Sequence, residues 1–189
     1  KSRKSAALPG AKIYPPTLTN SDLANIKIAK EMGVTGVMQP FVRDHSDLEC
    51  VKEALREAGA EDIRLFAKIE NMDGVRKLEK LLPAADEIVI ARGDLGNAVH
   101  LWDLPGVQRQ IAEKCRAAGK PFMVVTQMLA SMERSPVPTR AEVNDIFHAV
   151  MDGAASIMVT GETAVGDYPV EVIRYMVNTV RSAEKEENR

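Results

Sequence analysis

The segment Glu87-Ile88-Val89-Ile90-Ala91-Arg92-Gly93-Asp94 joins a continuous apolar run to residues that can bind or polarise a ligand. Apolar runs of strand length recur along the chain, and each is followed by polar residues and by a segment with helical periodicity. The runs lie at residues 34–42, 63–69, 87–91, 121–126 and 156–160. Strands that are apolar throughout and alternate with helices are typical of a parallel sheet covered by helices. The sequence therefore predicts an α/β protein with five parallel strand–helix units.

The helical segments each carry apolar residues along one face, which is the pattern of a helix packed on a core. We expect these faces to cover the sheet. They are Leu48, Val51 and Leu55; Val75, Leu78, Leu81 and Leu82; Val107, Ile111 and Cys115; Val143, Ile146, Phe147 and Val150; and Val170, Ile173, Val177 and Val180.

Polar residues after the strands distinguish two folds that share this alternation, a doubly wound open sheet and a (β/α)8 barrel. Lys68, Glu70, Asp94, Thr126 and Glu162 all lie at or just beyond the ends of predicted strands. Polar groups that converge from several strand ends are typical of the active face of a barrel. A doubly wound sheet would instead bind its ligand at a glycine-rich turn after the first strand, and the sequence has neither GxGxxG nor GxxxxGK[ST]. The prediction is a partial TIM (β/α)8 barrel, in which three further units come from elsewhere.

The composition excludes several classes of partner. Lys and Arg total 25 and Asp and Glu total 27, so the net charge of −2 gives no bulk attraction to nucleic acid or to an acidic membrane surface. Aromatic residues make up 4%, too few for a base-stacking platform. The two cysteines form no CxxC pair, and no signal peptide or membrane-length apolar run is visible. We expect a cytoplasmic protein, with an organelle as the alternative, that binds neither nucleic acid nor membrane.

Glu70 and Asp94 are the candidate metal ligands, because carboxylate oxygens suit a hard cation such as Mg²⁺. Lys68 lies two residues before Glu70 on the same strand, so both side chains point to one side of the sheet. A cation beside a metal-binding acid is suited to stabilise a transferring phosphoryl group or an enolate. The alternative is that the two acids are exposed loop residues or helix caps.

Arg92, Gly93 and Asp94 form a second candidate site, since a glycine lets the backbone approach a ligand and free N–H groups at a helix start bind anions. Thr126 ends a strand, where its hydroxyl could relay a proton with Glu162 behind it. The simpler interpretations are a turn capped by Asp94 and a β-branched residue that satisfies local backbone.

Five motifs occur in an order and spacing that resemble the pyruvate kinase family over nearly the whole chain. They are Lys68-Ile-Glu-Asn71, Ala91-Arg-Gly-Asp-Leu-Gly96, Thr126-Gln-Met-Leu129, Pro138-Thr-Arg-Ala-Glu-Val143 and Gly161-Glu-Thr-Ala164.

The resemblance implies a metal-assisted transfer of phosphate from phosphoenolpyruvate to ADP, which gives pyruvate and ATP in glycolysis. Glu70 and Asp94 would ligate Mg²⁺ or Mn²⁺, and Lys68 would stabilise the phosphoryl group in transfer. The backbone around Arg92, Gly93 and Asp94 would bind the substrate carboxylate.

The resemblance also implies a site for proton transfer and an oligomer. Thr126 would contact the substrate near the carbon that is protonated, and Glu162 would belong to the proton relay. Arg140 would contact a second subunit. K⁺ is a further expected cofactor, although the family's Ser-Phe-Val/Ile-Arg motif here begins with Pro40, which lacks the hydroxyl.

Domain boundaries follow from the same resemblance. Residues 1–12 would be a linker that returns from an absent lid domain, and residues 13–189 would form the partial barrel. Three strands that carry phosphate, cation and nucleotide ligands in the family are absent from this sequence, so the partner would be a second copy or the remainder of a longer chain.

Two other functions fit the same residues. A metal-dependent lyase or aldolase of the phosphoenolpyruvate/pyruvate type would use Glu70 and Asp94 to hold an enolate and would need no ADP site. A truncated relative without catalysis could persist as a regulatory subunit.

Overall fold

The computed structural model describes residues 15–187, so the linker predicted over residues 1–12 lies outside the described part. A five-stranded sheet forms its centre, with all neighbouring strands parallel and in the order β1-β2-β3-β4-β5. The strands are β1 (Gly36–Gln39), β2 (Arg64–Ile69), β3 (Glu87–Ala91), β4 (Phe122–Val125) and β5 (Ser156–Met158). The five predicted parallel strands are confirmed.

Helices follow every strand. They are α1 (Asn20–Ala29), α2 (His45–Glu57), α3 (Met72–Arg76), α4 (Leu78–Leu81), α5 (Arg92–Ala98), α6 (Leu104–Ala117), α7 (Arg140–Met151), α8 (Gly161–Ala164) and α9 (Pro169–Glu187), with short 3₁₀ turns at Leu82–Ala84 and Ala130–Glu133.

Local sequence fixes where several helices begin. Thr19 before α1 and Thr139 before α7 each form a capping box, with Asp22 and Glu142 respectively, and this satisfies backbone N–H groups that the first helical turn leaves free. Asn71 caps α3 by accepting from the Gly74 N–H at 2.9 Å.

The two faces of the sheet are covered differently. One face, with Leu65, Ile90 and Val124, packs against the helices in the main core. The other face forms a smaller cluster that consists only of strand residues, around Val89 and Val125. β3 is buried on both faces, as its continuous apolar sequence predicts.

Sequential strand order identifies the architecture. In a doubly wound sheet the strand order reverses at a switch point, whereas a barrel adds each strand beside the previous one. The order found here, with helices on one face and a strand-only cluster on the other, is that of a partial (β/α)8 barrel. Because all strands are parallel, their carboxyl ends meet at one edge, where the polar residues lie.

β1 is shorter than the predicted run of residues 34–42. The strand ends at Gln39, because Pro40 has no N–H to donate to a neighbour and Phe41 has a positive φ of 51°. The chain turns there, and this brings residues 40–43 over the end of β2.

The predicted buried face of α9 is largely wrong, since only Val180 of its four residues packs against the core, where it is half-buried. Val170, Ile173 and Val177 are exposed, and the buried positions are Val172, Thr179 and Ala183. The helix carries apolar residues on two faces, and its packing against α7 selects the second one. The Thr179 hydroxyl donates to the Tyr175 carbonyl at 2.8 Å, so this polar residue is buried with its hydrogen bond satisfied. The other four predicted faces each contribute to the core.

Both cysteines are free thiols. Burial raises the pKa of the Cys115 thiol to about 12, against a smaller opposite effect of Lys120, so this side chain acts as a core apolar group. None of the helices between residues 15 and 187 has the length and apolar character needed to cross a membrane.

Candidate active site

Lys68 and Glu70 form an ion pair at the carboxyl end of β2, with 2.8 Å between the Lys68 Nζ and the Glu70 Oε1. Their side chains are 24% and 2% exposed, so Glu70 is buried and Lys68 is partly exposed. The structure thus brings together the two residues that the period-2 pattern of the strand places on one side.

The loop after β1 provides a second partner for Glu70. The backbone N–H of Phe41 donates to the Glu70 Oε2 at 2.7 Å. Further hydrogen bonds hold the loop: the Val42 N–H donates to the Lys68 carbonyl at 3.3 Å, and the Asn71 side-chain amide donates to the Val42 carbonyl at 3.0 Å. Sequence reasoning missed the Phe41 N–H, because a backbone donor has no residue-type signature. Pro40 directly after a strand was the available signal for a turn there.

Asp94 lies in the first turn of α5 and is exposed. It follows β3, the strand beside β2, so Asp94 and Glu70 occupy neighbouring strand ends. Across residues 15–187 no three or more His, Cys, Asp or Glu residues are grouped closely enough to hold a metal ion. The predicted ligation of a metal ion by Glu70 and Asp94 remains a prediction.

Thr126 follows β4 and has an unusual backbone, with φ of 76°, and Gln127 has φ of 53°. A positive φ is costly for a β-branched residue and commonly marks a functional site. The Thr126 Oγ1 accepts from the Gly93 N–H at 2.8 Å and donates to the Val125 carbonyl at 2.5 Å. The predicted residues Gly93 and Thr126 are therefore in direct contact.

Arg92 is held by partners inside the protein, and its side chain is 12% exposed. Its guanidinium binds both carboxylate oxygens of Asp145 at 2.7 and 2.8 Å, donates to the Thr126 carbonyl at 2.8 Å and contacts the Met128 sulfur at 2.8 Å. The predicted contact of the backbone around Arg92 with a substrate carboxylate remains a prediction. Asp145 was missed, because it lies on α7, 53 positions along the chain, and no motif links the two.

Glu162 in α8 is buried and joins two neighbouring loops. Its Oε1 accepts from the Leu129 N–H at 3.2 Å, and its Oε2 accepts from the Thr160 N–H at 2.8 Å. Both loops follow strands at the edge where the carboxyl ends of the strands meet, so the carboxylate fixes the ends of β4 and β5 relative to each other. Its predicted part in a proton relay remains a prediction.

Comparison with known proteins gives a consistent result. A family model described as "Pyruvate kinase, barrel domain" matches residues 1–173. The chain is 41% identical over 185 residues to a pyruvate kinase of Bacillus licheniformis, a match that covers 98% of this chain and 32% of that protein. It is 42% identical to a Dictyostelium discoideum pyruvate kinase over 96% of the chain and 36% of the relative. It is 38% identical to a pyruvate kinase of Clostridium acetobutylicum, over 99% of this chain and 40% of that protein.

The chain thus spans 32% to 40% of the length of these curated relatives. The matched family model covers most of the sequence and all five strands of the sheet. The chain belongs to the pyruvate kinase family and forms part of its barrel domain.

Proposed function

We propose that this chain forms part of a phosphoryl-transfer site that converts phosphoenolpyruvate and ADP into pyruvate and ATP. The observation that carries the proposal is the Lys68–Glu70 pair at the end of β2, one strand from Asp94. In the reaction, the bond between phosphorus and the enol oxygen breaks and a bond to the terminal oxygen of ADP forms. The enolate that remains takes one proton on its methylene carbon and becomes pyruvate.

Glu70 and Asp94 fit a divalent cation such as Mg²⁺ or Mn²⁺. An ionised carboxylate offers about four acceptor positions, and Glu70 uses one on each oxygen, for Lys68 and Phe41. Mg²⁺ is typically held by one or two carboxylates with water and substrate phosphate completing its shell, so a two-carboxylate site is sufficient. When bound, the cation would neutralise charge on the phosphate and enolate oxygens.

Lys68 is the residue that we assign to the phosphoryl group. Its amine is partly exposed, while its partner carboxylate is buried and fixed by the Phe41 N–H, so the positive charge has a defined position. Phosphoryl transfer proceeds with charge spread over the transferring oxygens, and a fixed cation stabilises that charge.

Thr126 is the residue that we assign to the second half of the reaction. Its hydroxyl accepts from the Gly93 N–H, next to the turn that begins α5, and donates to the Val125 carbonyl, so rotation away from that carbonyl would let it pass a proton toward a substrate. Glu162 supports the same loop through the Leu129 N–H. The backbone around Arg92 and Gly93 is assigned to bind the substrate carboxylate at this turn.

Other ligands and partners are proposed from family membership. The remainder of the barrel and the nucleotide ligands would come from a longer chain or a second copy, in a homo-oligomer in which Arg140 faces the partner subunit. Pro40 offers no hydroxyl where the family's potassium ligand lies, so we assign no K⁺ ligand to the described residues. A cytoplasmic location suits this glycolytic reaction.

A chimaera tests the function. Residues 1–187 of this chain replace the matching stretch of the Bacillus licheniformis pyruvate kinase, which supplies the missing strands. We expect formation of pyruvate and ATP that depends on phosphoenolpyruvate, ADP and Mg²⁺. The control is the same chimaera with Glu70→Gln, in which this formation should be abolished.

The same preparation separates the alternatives. Release of pyruvate from aldol substrates without ADP would indicate the lyase or aldolase function. Absence of both reactions, with Mg²⁺ still bound and a stable complex formed with the rest of the relative, would indicate a regulatory relative without catalysis.

A further inference from the structure

Thr126 is clamped from two sides by consecutive residues of α5. Arg92 donates to its backbone carbonyl at 2.8 Å, and the Gly93 N–H donates to its side-chain oxygen at 2.8 Å. One contact therefore fixes the backbone of the residue, and the other fixes its hydroxyl.

The clamp acts on backbone that is otherwise unfavourable. A threonine at φ of 76° is strained, and such conformations persist only where the surroundings enforce them. The guanidinium of Arg92 bridges from this residue to the Sδ of Met128, so it spans both sides of Gln127, which also has a positive φ. The hydrogen bonds of Arg92 are thus placed where the strained turn needs support.

Asp145 holds Arg92 in this position. Both carboxylate oxygens of Asp145 accept from the same guanidinium nitrogen, at 2.7 and 2.8 Å, and α7 holds Asp145 above the ends of β3 and β4. The aspartate is partly buried, with 33% of its side chain exposed, and the arginine is 12% exposed, so water competes weakly for the pair.

We propose that Asp145 and Arg92 are positioning residues for Thr126: the Asp145–Arg92 pair keeps Thr126 in its left-handed conformation with the hydroxyl against Gly93. This inference rests on the proposed function only where it concerns catalysis, because the clamp itself is a property of this chain. In the proposed reaction the pair would set the orientation of the hydroxyl that transfers the proton, and the side chains of Asp145 and Arg92 would not need to touch the substrate.

The Gly93 amide reports the clamp directly. Gly93 is in the first turn of α5, where the helix supplies no acceptor for its N–H, and Thr126 Oγ1 is the acceptor that it has. Hydrogen exchange of this amide, measured by NMR on the full chain, therefore follows the position of Thr126. We expect Asp145→Ala to accelerate its exchange about tenfold or more. Thr126→Val, which removes the acceptor, sets the maximum effect.

The Arg134–Asp167 ion pair provides a control. Its nitrogen and oxygen are 2.9 Å apart, and neither residue takes part in the hydrogen bonds that hold Thr126. Asp167→Ala should leave Gly93 exchange unchanged. Amides of β3 and α6 that keep their exchange rates show that a variant is folded. If the β3 and α6 amides also exchange faster in Asp145→Ala, that variant is replaced by Asp145→Asn. The asparagine keeps the size of the side chain and removes its charge. Unchanged Gly93 exchange in a folded Asp145 variant would overturn the proposal.

The catalytic consequence is measured in the chimaera. We expect Asp145→Ala to lower kcat about 10- to 100-fold with KM for phosphoenolpyruvate nearly unchanged, because misplacement of a reacting group affects the transition state. Exchange of the pyruvate methyl hydrogens with D2O should slow by a similar factor. An equal rate of methyl exchange in parent and variant would contradict the catalytic part. If the parent chimaera transfers no phosphate, the proposed function fails, while the Gly93 exchange still decides whether the clamp exists.

Discussion

Asp47 shows how opposing effects on one residue set its ionisation. Burial alone would raise the pKa of this carboxyl, but hydrogen bonds from the Arg43 side chain, Thr17 and the Arg43 backbone lower it to about 2. The contacts include 2.6 Å from the Arg43 guanidinium and 2.6 Å from the Thr17 hydroxyl. Asp47 thereby anchors the base of the loop that donates to Glu70.

The stability of the protein should therefore depend on ionised Asp47. Its pKa is lower in the folded state, so the ionised form stabilises the fold above the unfolded pKa near 4, and this is lost as the pH falls through about 2. We expect Asp47→Asn to lower the free energy of unfolding by about 2 kcal/mol at pH 7, as measured by urea denaturation. The difference from the parent should shrink between about pH 4 and pH 2. A difference that stays constant with pH would contradict this assignment. Asp62→Asn, at an exposed ion pair with Lys30, is the control and should change stability little.

Individual site residues were predictable to different degrees. Lys68 and Glu70 share one side of a strand by simple alternation, so their contact could be predicted from the sequence. The Phe41 N–H and Asp145 could not, since one is a backbone group in a turn and the other reaches the site through the packing of α7. The positive φ of Thr126 likewise has no signature in the local sequence.

At the scale of elements, the close approach of α3 to the loop after β1 supports the site. A Cβ on Gly74 would lie 2.7 Å from the Val42 carbonyl oxygen, which is a backbone atom that cannot move aside easily. We expect Gly74→Ala to lower the free energy of unfolding by about 1–3 kcal/mol and to displace the Phe41 N–H from Glu70. Thermal and urea denaturation measure the first effect, and hydrogen exchange of the Phe41 amide measures the second.

Gly106 in α6 provides the matched control. A Cβ there meets no atom within 4 Å, and alanine has fewer accessible conformations than glycine in the unfolded chain, so Gly106→Ala should stabilise the protein by about 0.4–1 kcal/mol. If the two alanine variants changed the free energy of unfolding equally, the contact between a Cβ at position 74 and the Val42 carbonyl would not explain the effect of Gly74→Ala.

The elements themselves were largely predictable, because their apolar periodicity is strong. All five strands and four of the five helix faces follow from it. The buried face of α9 does not, because apolar residues occur on two of its faces. Contact with α7 buries the face that carries Val172 and leaves the face that carries Ile173 exposed. Likewise the end of β1 depends on the backbone turn at Phe41.

At the scale of the whole molecule, the sheet has two edges. Between residues 15 and 187, β1 pairs with β2 alone and β5 with β4 alone. A groove of about 340 Å³ beside β5 is lined mostly by apolar residues, including Ile157, Met176 and Val177, together with the polar residues Ser156, Arg181 and Glu184. Unpaired strand edges and exposed apolar grooves favour association.

We therefore expect the isolated chain to self-associate. Sedimentation velocity should give an average mass above 20.7 kDa that rises with concentration. Val177→Lys, which places a charge in the groove, should lower that mass, whereas Val137→Lys at an exposed position outside the groove should not. A monomer of 20.7 kDa at every concentration would show that the edges and the groove do not drive association.

The most direct measurement on the proposed site is the single-turnover rate of phosphoryl transfer in the chimaera with Lys68→Met. Lys30→Met is the control, since Lys30 also forms a 2.8 Å ion pair but lies exposed and outside the site. A fixed charge that stabilises the transferring phosphate is worth about 10³-fold or more, so Lys68→Met should lose at least that factor while Lys30→Met keeps the parent rate. Equal rates in the two variants would contradict the assignment of the Lys68–Glu70 pair as the phosphoryl-transfer centre.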